Sequence, residues 1–389
     1  MRYHQLLYKS TSKAKVNGYE FTRLLPPPKG SGFPPTTTER ILFMKKNNPF
    51  TLTFGKQPNE YISRYENTDM ILSTFEADNP ISQAYLIEGI RGSGKTVLMT
   101  SIANELGKNR DWVVIDLNST QNLINDCAMR LIDSCKKMPD FLKQGFNMSI
   151  AGFAIGVNGN DTPQDNVSII DNVLSSLKKH NKKVLITIDE IMHNDNMRHF
   201  ASQFQIFVRK DYPVFLLMAG LYENIYAIQN DPALTFLLRT PKISLAPLSL
   251  HQIAKQYADI FQIDGESAKK LAKITKGYAF AFQALGLLYY EHRDEMELTD
   301  ILLKLDDMLD DFVYQKIWFS LSRQDKDVVL AIKNDDTKVS EICKKTGMTS
   351  SVFSKYRARL IKRGIITSAG HGYVSLLLPR FEIVARTYE

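Results

Sequence analysis

Gly89-Ile90-Arg91-Gly92-Ser93-Gly94-Lys95-Thr96 is the stretch that decides the fold. An apolar run over 84–88, which predicts a buried strand, comes before it, and a helical pattern runs on from Lys95 to about Gly107. The spacing Gly-x4-Gly-Lys-Thr between a strand and a helix is typical of a phosphate-binding loop, because its glycines let backbone N–H groups close around an anion. The helix N-terminus adds its partial positive charge. The sequence therefore predicts a nucleotide-phosphate site here.

The motif predicts a separate role for each of two side chains of the loop. Lys95 should reach the β- and γ-phosphates, and the Thr96 hydroxyl should ligate Mg²⁺. The other residues that we expect to contact the nucleotide come from the same stretch: Gly89, Gly92, Ser93, Gly94 and Val97.

A second half of the site is predicted at Asp189-Glu190, directly after the apolar strand over 184–188. A carboxylate at such a strand end lies across from the phosphate loop, so Asp189 is predicted to hold Mg²⁺ together with Thr96. Glu190 could then orient and deprotonate an attacking water, which makes Glu190 and Lys95 candidate catalytic residues. The alternative is that the pair only caps the next helix. An Asn-Lys-x-Asp guanine signature is missing from the sequence, which favours ATP over GTP.

The pattern around this site predicts an α/β fold. Apolar strands over 84–88, 112–116, 183–188, 214–219 and 243–245 alternate with helices, as in a parallel sheet covered on both faces. We expect a P-loop NTPase core over 47–248 and an all-helical lid over 249–321. The order helix, helix, turn, helix, hairpin predicts a C-terminal winged helix-turn-helix over 322–389. Glycines within 146–160 suggest an inserted hairpin.

The N-terminal residues 1–46 look unstructured, because they are rich in proline, glycine and threonine and show little apolar periodicity. One interpretation is that translation begins at Met44 and that the preceding residues are an over-extended reading frame. Glu39-Arg40 can be encoded by a purine-rich sequence at the distance of a bacterial ribosome-binding site. The N-terminal peptide of the natural protein would decide between Met1 and Met44.

Composition points to a soluble cytoplasmic protein. The 389 residues contain neither an apolar run long enough to span a membrane nor a signal peptide, so no membrane partner is expected. Three cysteines, Cys127, Cys135 and Cys343, show no metal-ligand spacing and fit a reducing compartment.

The net charge of +7 is unevenly distributed. Residues 1–49 and residues 338–389 each carry +7, from nine and ten Lys/Arg against two and three Asp/Glu, so the middle of the chain is −7. Basic ends on an acidic body suggest double-stranded DNA as a partner, although a charged stretch can also be only a solvated face.

The helix predicted over 350–363 is the candidate DNA-reading helix. Val352, Phe353, Tyr356, Leu360 and Ile361 recur at helical spacing and should face a core. Small polar residues first and cations later suit entry into a major groove with phosphate contacts behind. The predicted DNA contacts are Ser350, Ser351, Ser354, Lys355, Arg357, Arg359, Lys362 and, at the wing, His371. The alternative is a winged helix that contacts protein.

These features together resemble the AAA+ and STAND superclass of ATPases, and more closely the prokaryotic relatives of the archaeal origin-recognition-complex initiators. The resemblance covers about 47–389 and includes the phosphate loop and Asp189-Glu190. Its further segments are Asn48-Pro49-Phe50, Phe54-Gly55, Ile62-Ser63-Arg64, Ala219-Gly220-Leu221, Leu237-Leu238-Arg239, Ile243-Ser244-Leu245-Ala246-Pro247-Leu248-Ser249 and Thr275-Lys276-Gly277-Tyr278-Ala279-Phe280-Ala281-Phe282-Gln283.

The resemblance implies roles for two arginines. Arg64 belongs to a segment that packs near adenine in that family, and Arg239 matches the position of an arginine finger, which acts on ATP held by a neighbouring subunit. Self-association through Arg239 is therefore expected, although a surface arginine paired with a carboxylate is as plausible. Met218-Ala219-Gly220 lacks the usual polar sensor residue, and Lys276 is the only cation near the lid's sensor position. Slow hydrolysis is expected.

Three functions remain open at this point. The first is an ATP-dependent switch on DNA, of the replication-initiator or mobile-element type. The second is a STAND-like signalling or defence ATPase whose winged helix contacts protein. The third is a nucleotide-stabilised scaffold without turnover.

Overall fold

The computed structural model describes residues 11–16, 19–24, 48–53, 58–137, 165–333 and 336–388. Contacts divide the chain into two compact units, Met1–Pro49 and Phe50–Glu389. Among these described residues, no helix is both long and apolar enough to cross a bilayer. The predicted insertion over 146–160, the segment Phe54-Gly55 and Met44 lie outside the described residues.

The described part of the N-terminal unit contains an antiparallel strand pair, β1 (Thr11–Val16) and β2 (Tyr19–Leu24). The expectation that 1–46 lacks regular structure is wrong for these strands. Val16 pairs with Tyr19, which leaves only Asn17-Gly18 between them. Asn-Gly is a strong hairpin signal because both residues tolerate the positive φ that a two-residue turn demands. The proline- and threonine-rich stretch that follows masked this signal.

Among the described residues of the larger unit, five parallel strands form one sheet in the order β4-β5-β6-β3-β7. They are β3 (Ala84–Glu88), β4 (Trp112–Leu117), β5 (Lys183–Ile188), β6 (Val214–Gly220) and β7 (Lys242–Ser244). Leu86 packs into the core on one face, whereas Tyr85 and Ile87 pack into the core on the other. Because both faces are covered, nearly every strand residue is apolar, and the predicted parallel sheet is confirmed.

Helices cover the two faces of this sheet. They are α1 (Tyr65–Glu76), α2 (Lys95–Gly107), α3 (Leu123–Lys136), α4 (Asn166–Lys179), α5 (Asp195–Arg209) and α6 (Tyr222–Gln229), followed by a 3-10 segment, Pro232–Arg239. The first two pack on one face and α3, α4 and α5 on the other. Asn122, Asp165 and Asn194 begin three of these helices by accepting a backbone N–H, which satisfies donors that a helix leaves unpaired.

The next region is all helix, as predicted. It contains α7 (Leu250–Phe261), α8 (Gly265–Thr275), α9 (Ala279–His292), α10 (Leu298–Leu309), a π-helical turn over Asp310–Tyr314 and α11 (Gln315–Phe319). Its interior contains several buried aromatic side chains, and Phe50 makes edge-on contacts with Tyr257 and Phe282. Buried aromatic pairs of this kind stabilise by about 0.5–1.5 kcal/mol beyond the burial of their area.

The C-terminal region is a winged helix-turn-helix. Its elements are α12 (Arg323–Ala331), β8 (Thr337–Lys338), α13 (Val339–Thr346), α14 (Ser350–Lys362), β9 (Ile366–Ser368), β10 (Tyr373–Leu376) and α15 (Phe381–Ala385). The wing strands pair antiparallel in the order β8-β10-β9. Sequence analysis missed β8 and α15, because two residues and one helical turn are too short to show periodicity.

One core continues from the helical lid into the winged helix. Leu305 and Trp318 of the lid belong to the same buried cluster as Phe353 and Phe381 of the winged helix. The predicted boundary at 321/322 therefore does not separate two cores. The boundaries at 46, 248 and 321 stay predictions.

Candidate nucleotide site and candidate nucleic-acid interface

The predicted phosphate loop connects β3 to α2, and two of its glycines are required by its shape. Gly92 and Gly94 have φ values of +75° and +92°, in the left-handed region that glycine adopts without strain. A Cβ on Gly92 would also lie 2.2 Å from Tyr278 Oη, so the lid closes directly over this residue. Alanine would be both strained and obstructed at position 92.

Lys95 begins α2 and points back over the loop. Its Nζ donates to the carbonyl oxygens of Gly89 and Ile90, both at 3.0 Å. Burial lowers the pKa of Lys95 to about 8; the neighbouring Arg91 also lowers this pKa, whereas Asp189 and Glu190 raise it. A partly buried ammonium whose described hydrogen bonds go to carbonyl oxygens is placed to accept an anion.

Thr96 and Asp189 meet as the two motifs predict. Thr96 Oγ1 donates to Asp189 Oδ2 at 2.5 Å, and Asp189 Oδ1 accepts the Glu190 N–H at 2.8 Å. A hydroxyl and a carboxylate in contact are the oxygen donors that Mg²⁺ prefers, so this pair fits the predicted metal. The alternative of a simple helix cap fails here, because Asn194 begins the next helix, α5.

Glu190 lies at the mouth of the site in an unusual conformation. Its φ is +50°, and its side chain is 74% exposed and 3.6 Å from Arg91 Nη1. Non-glycine residues in this region of φ are uncommon and often mark functional positions.

A cavity of about 340 Å³ joins these residues. The loop, Val97, Asp189 and Glu190 line one part of it. The described residues at the remaining walls include Thr51, Leu52, Tyr61, Ile62, Arg64, Asn224, Ala279, Phe280, Phe282 and Gln283. The mix of apolar walls and a polar, cationic loop suits a ligand with a flat ring at one end and phosphates at the other.

Arg64, at the wall of the cavity, holds the loop through carbonyl oxygens. Its Nη2 donates to the carbonyl of Ser93 at 3.1 Å and its Nη1 to that of Ala246 at 2.7 Å, and burial lowers the pKa of its guanidinium. Ser93 is itself turned inward, because its Oγ would lie 2.6 Å from a Cβ on Gly89. The Ser93 N–H donates to the Ile90 carbonyl at 3.2 Å, so the backbone of Ser93 stabilises the shape of the loop.

The lid contributes residues that sequence analysis quoted but did not assign to the site. Tyr278 Oη donates to the carbonyl of Arg91 at 2.6 Å, and the Phe280 N–H donates to the carbonyl of Gly92 at 3.1 Å. Gln283 Oε1 accepts the Thr51 N–H at 3.2 Å. The sequence offered one signal for these residues, the glycine directly before them at position 277. In the structure this glycine turns the chain with a φ of +76°. Lys276 is used elsewhere and donates to the Leu376 carbonyl of the wing at 3.1 Å.

Arg239 ends the 3-10 segment on the surface and does not line the cavity. Asp231, at the start of this segment, accepts from His193 Nε2 at 2.7 Å and from Arg198 Nε at 2.5 Å. These bonds hold the pKa of Asp231 well below its usual range. His193 follows Glu190 by three residues, so this network ties the arginine-bearing segment to the chain that leaves the candidate metal site.

Three of the eight predicted DNA contacts are bonded within the winged helix. Arg359 donates to Asp325 through Nη2 at 2.6 Å, and Arg357 donates to Ser368 Oγ. Ser354 Oγ donates to the Ser350 carbonyl at 2.9 Å. The side chain of Asp325 is only 2% exposed, so its bond with Arg359 stabilises the fold of the domain.

The remaining candidates are exposed. They are Ser350, Ser351 and Lys355 on the first turns of α14, and His371 at the wing. Two residues that were expected to face a core are also exposed, Val352 by 43% and Ile361 by 38%. That expectation was wrong because the face of α14 that packs inward is narrow, with Phe353 and Leu360 as its buried residues.

The end of α14 packs against the sheet domain. Arg363 Nε forms an ion pair with Glu223, and Lys362 Nζ lies 5.8 Å from the ring centroid of Tyr222. A Cβ on Gly364 would lie 3.5 Å from the Cβ of Ile90 in the phosphate loop. The candidate DNA-reading helix therefore ends beside the candidate nucleotide site.

Comparisons with known proteins agree with this architecture. Residues 311–383 match a family described as a domain of unknown function (DUF8462), which includes the π-helical turn and most of the winged helix. No protein of curated function matches the sequence.

Two solved structures share the fold. A Walker-type ATPase of Pyrococcus abyssi superposes with a TM-score of 0.58 at 13% identity, over 84% of this chain and 96% of that one. The ORC2 protein of Aeropyrum pernix, in its ADPNP and ADP complexes, gives 0.53 at 13% identity, over 86% and 96%. At this identity the likeness shows the fold alone. The chain therefore has the fold of AAA+ P-loop ATPases of the origin-recognition type, as the resemblance in its motifs predicted.

Proposed function

We propose that this protein is an ATP-binding and slowly ATP-hydrolysing switch that binds double-stranded DNA through its winged helix. The observation that carries the proposal is the contact of Thr96 Oγ1 with Asp189 Oδ2 at 2.5 Å. Beside this pair lies the ammonium of Lys95, whose pKa is lowered by burial. Distant parts of the chain supply these groups, and together they form the donor set of a nucleotide–magnesium site.

Each residue has a role in this proposal. The backbone N–H groups of Gly92 and Gly94 contact the phosphates, Gly89 and Ser93 shape the loop around them, and Lys95 neutralises their charge. Thr96 and Asp189 would hold Mg²⁺, which would neutralise the charge that develops on the phosphates. Glu190 orients and deprotonates the attacking water. Val97, Arg64 and the apolar walls of the cavity hold the remainder of the nucleotide.

Low turnover follows from what the site lacks. The carboxylate of Glu190 is paired with Arg91, which competes with its use as a base. The end of β6, Met218-Ala219-Gly220, is apolar and buried, and Lys276 is bonded to the wing. Neither of these two positions supplies a polar group to stabilise the transition state, so nucleotide occupancy rather than repeated hydrolysis would carry the signal.

DNA binding is assigned to the exposed start of α14 and to the wing. Ser350, Ser351 and Lys355 offer short polar groups and a cation where a recognition helix meets base edges and phosphates, and His371 lies at the wing. The charge of +7 over 338–389 favours a polyanion at this end. Arg239, exposed and outside its own cavity, is proposed to act on ATP held by a second copy of the chain.

Fluorescence anisotropy of a labelled duplex tests the proposal. It is measured with and without ATP, at two salt concentrations, for the wild type and for Lys95→Ala. Salt-sensitive binding that requires ATP and Lys95 is expected. Phosphate release, measured in the same samples, distinguishes a slow ATPase from a scaffold that binds ATP without turnover.

A second candidate is a signalling ATPase whose winged helix contacts protein. The specific observation in its favour is the exposure of Val352 and Ile361 on a helix whose arginines are engaged internally. ATP binding without duplex binding under any condition would favour this candidate and rule out the switch on DNA.

A further inference from the structure

The cavity holds three described cations, and they differ in what they contact. Arg64 donates to the carbonyls of Ser93 and Ala246, and Lys95 donates to carbonyls of the loop itself. Arg91, in the same loop, has a carboxylate partner: its Nη1 lies 3.6 Å from Glu190 Oε1. Arg91 is therefore the cation of this described set that pairs with the residue proposed to activate water.

Hydrogen bonds from the lid hold the main chain around Arg91, whereas its side chain is partly exposed. Tyr278 Oη donates to its carbonyl at 2.6 Å, and the Phe280 N–H donates to the next carbonyl, of Gly92, at 3.1 Å. The Arg91 side chain is 35% exposed and lines the cavity. A change of rotamer can therefore redirect the guanidinium without any movement of the loop.

The charges around Arg91 favour an anion at this place. Its guanidinium is close enough to Lys95 to lower the pKa of that ammonium, after the larger effects of burial, which lowers this pKa, and of Asp189, which raises it. Two cations held side by side in a partly buried cavity repel each other, and a phosphate that contacts both removes this repulsion.

The pairing with Glu190 is easily exchanged. The Glu190 carboxylate is 74% exposed and the separation is long for an ion pair, so solvent screens most of the attraction. A phosphoryl group carries more charge, and the guanidinium can contact it through two parallel N–H···O bonds.

We propose that Arg91 senses the γ-phosphate: bound ATP draws the guanidinium from Glu190 to the γ-phosphate, and this exchange releases Glu190 to act on water. ADP lacks that phosphate and leaves the Arg91–Glu190 pair intact. The proposal rests on the proposed nucleotide site and adds to it a residue that distinguishes ATP from ADP. Arg91 would then supply, from within the loop, the cation that the lid lacks.

A double-mutant cycle tests the exchange. Affinities for fluorescent MANT-AMPPNP and MANT-ADP are measured in the presence of Mg²⁺ for the wild type, Arg91→Ala, Glu190→Gln and the double variant. Arg91→Ala is expected to weaken AMPPNP about tenfold, the value of one charge-assisted contact, and to change ADP by less than about twofold. Glu190→Gln removes the competing carboxylate and should tighten AMPPNP about threefold, but only when Arg91 is present.

Two further variants separate sensing from loop structure. Arg91→Lys keeps the charge without the paired N–H groups and should fall between the wild type and Arg91→Ala. Arg64→Ala is the matched control: it removes a cavity arginine bonded to backbone carbonyls, and we expect equal losses for AMPPNP and ADP.

The outcomes are distinct. An equal loss of AMPPNP and ADP affinity in Arg91→Ala would show that Arg91 only shapes the loop, and would overturn the inference. A gain from Glu190→Gln that persists in the Arg91→Ala background would overturn it too. A wild type that binds neither nucleotide would instead overturn the proposed function itself.

Discussion

The nucleotide cleft and the winged helix use their polar residues in opposite ways. In the cleft, Lys95, Thr96 and Asp189 converge on one cavity and contact weak or exchangeable partners. In the winged helix, Arg359 and Arg357 are bonded within the domain. The difference teaches that a loop between a strand and a helix imposes the geometry of its own residues, whereas a surface helix leaves the use of each side chain to its tertiary neighbours.

The largest effect that would test this comparison is on turnover. Glu190→Gln keeps the shape of the side chain but cannot accept a proton, so ATP hydrolysis should fall by about 10²–10⁴-fold. Single-turnover phosphate release and nucleotide binding, measured on one preparation, check this. If hydrolysis persists at the wild-type rate, the cleft does not use Glu190, and the contrast with the winged helix loses its basis.

The next effect concerns stability. Asp325→Ala removes both the buried partner of Arg359 and the capping box at the start of α12, in which Ser322 and Asp325 bond each other's backbone. Because Arg359 is partly solvated, we expect a loss of about 2–4 kcal/mol in the free energy of unfolding. Urea denaturation measures it. The matched control is Lys355→Ala, an exposed change on α14 that should alter stability by less than about 0.5 kcal/mol.

The pH dependence of ATP affinity tests whether the charge of Lys95 in the cleft binds the nucleotide. Burial lowers the pKa of Lys95 to about 8 in the free site, and phosphate binding requires the charged form. Above pH 8 the free site loses this proton, so ATP affinity should fall by about tenfold per pH unit. Titration of MANT-AMPPNP between pH 7 and 9.5 tests this. Lys95→Arg, whose guanidinium stays charged throughout, should give a flat profile; a parallel fall in both proteins would assign the titration to another group.

The same group has a defined effect on stability. The folded pKa of Lys95 is depressed, so the unfolded chain binds more protons between about pH 8 and 10.5. The stability of the nucleotide-free protein should therefore rise with pH through this interval as far as Lys95 determines it.

The smallest expected effect is on DNA. Lys355→Ala removes an exposed cation of α14 and should weaken duplex binding by about threefold to tenfold and reduce the salt dependence by about one ion. Lys344→Ala, a lysine of α13, serves as a matched charge-removing control. Equal losses in both variants would indicate a general effect of charge and would argue against a specific role of α14.

The sequence predicted the cleft well because its signals are local. Glycine spacing, a buried strand and a carboxylate at the strand end determine geometry within a few residues, so Lys95, Thr96 and Asp189 were placed together before the fold was known. It could not predict the partner of Arg91 or the bond from Tyr278 Oη to Arg91, because both depend on contacts between segments far apart in the chain. The same limit applies to Arg359, whose buried partner lies 34 residues away.

The core shared by the lid and the winged helix has a mechanical consequence. Leu305 and Trp318 pack in one cluster with Phe353 and Phe381, so a hinge at residue 321 would have to open an apolar interior to water. The two regions are therefore expected to move as one rigid body, which covers the phosphate loop with the lid and also carries α14. A movement of the lid at the nucleotide would then reach α14 directly, and a truncation at 321 would leave a fragment with an exposed core.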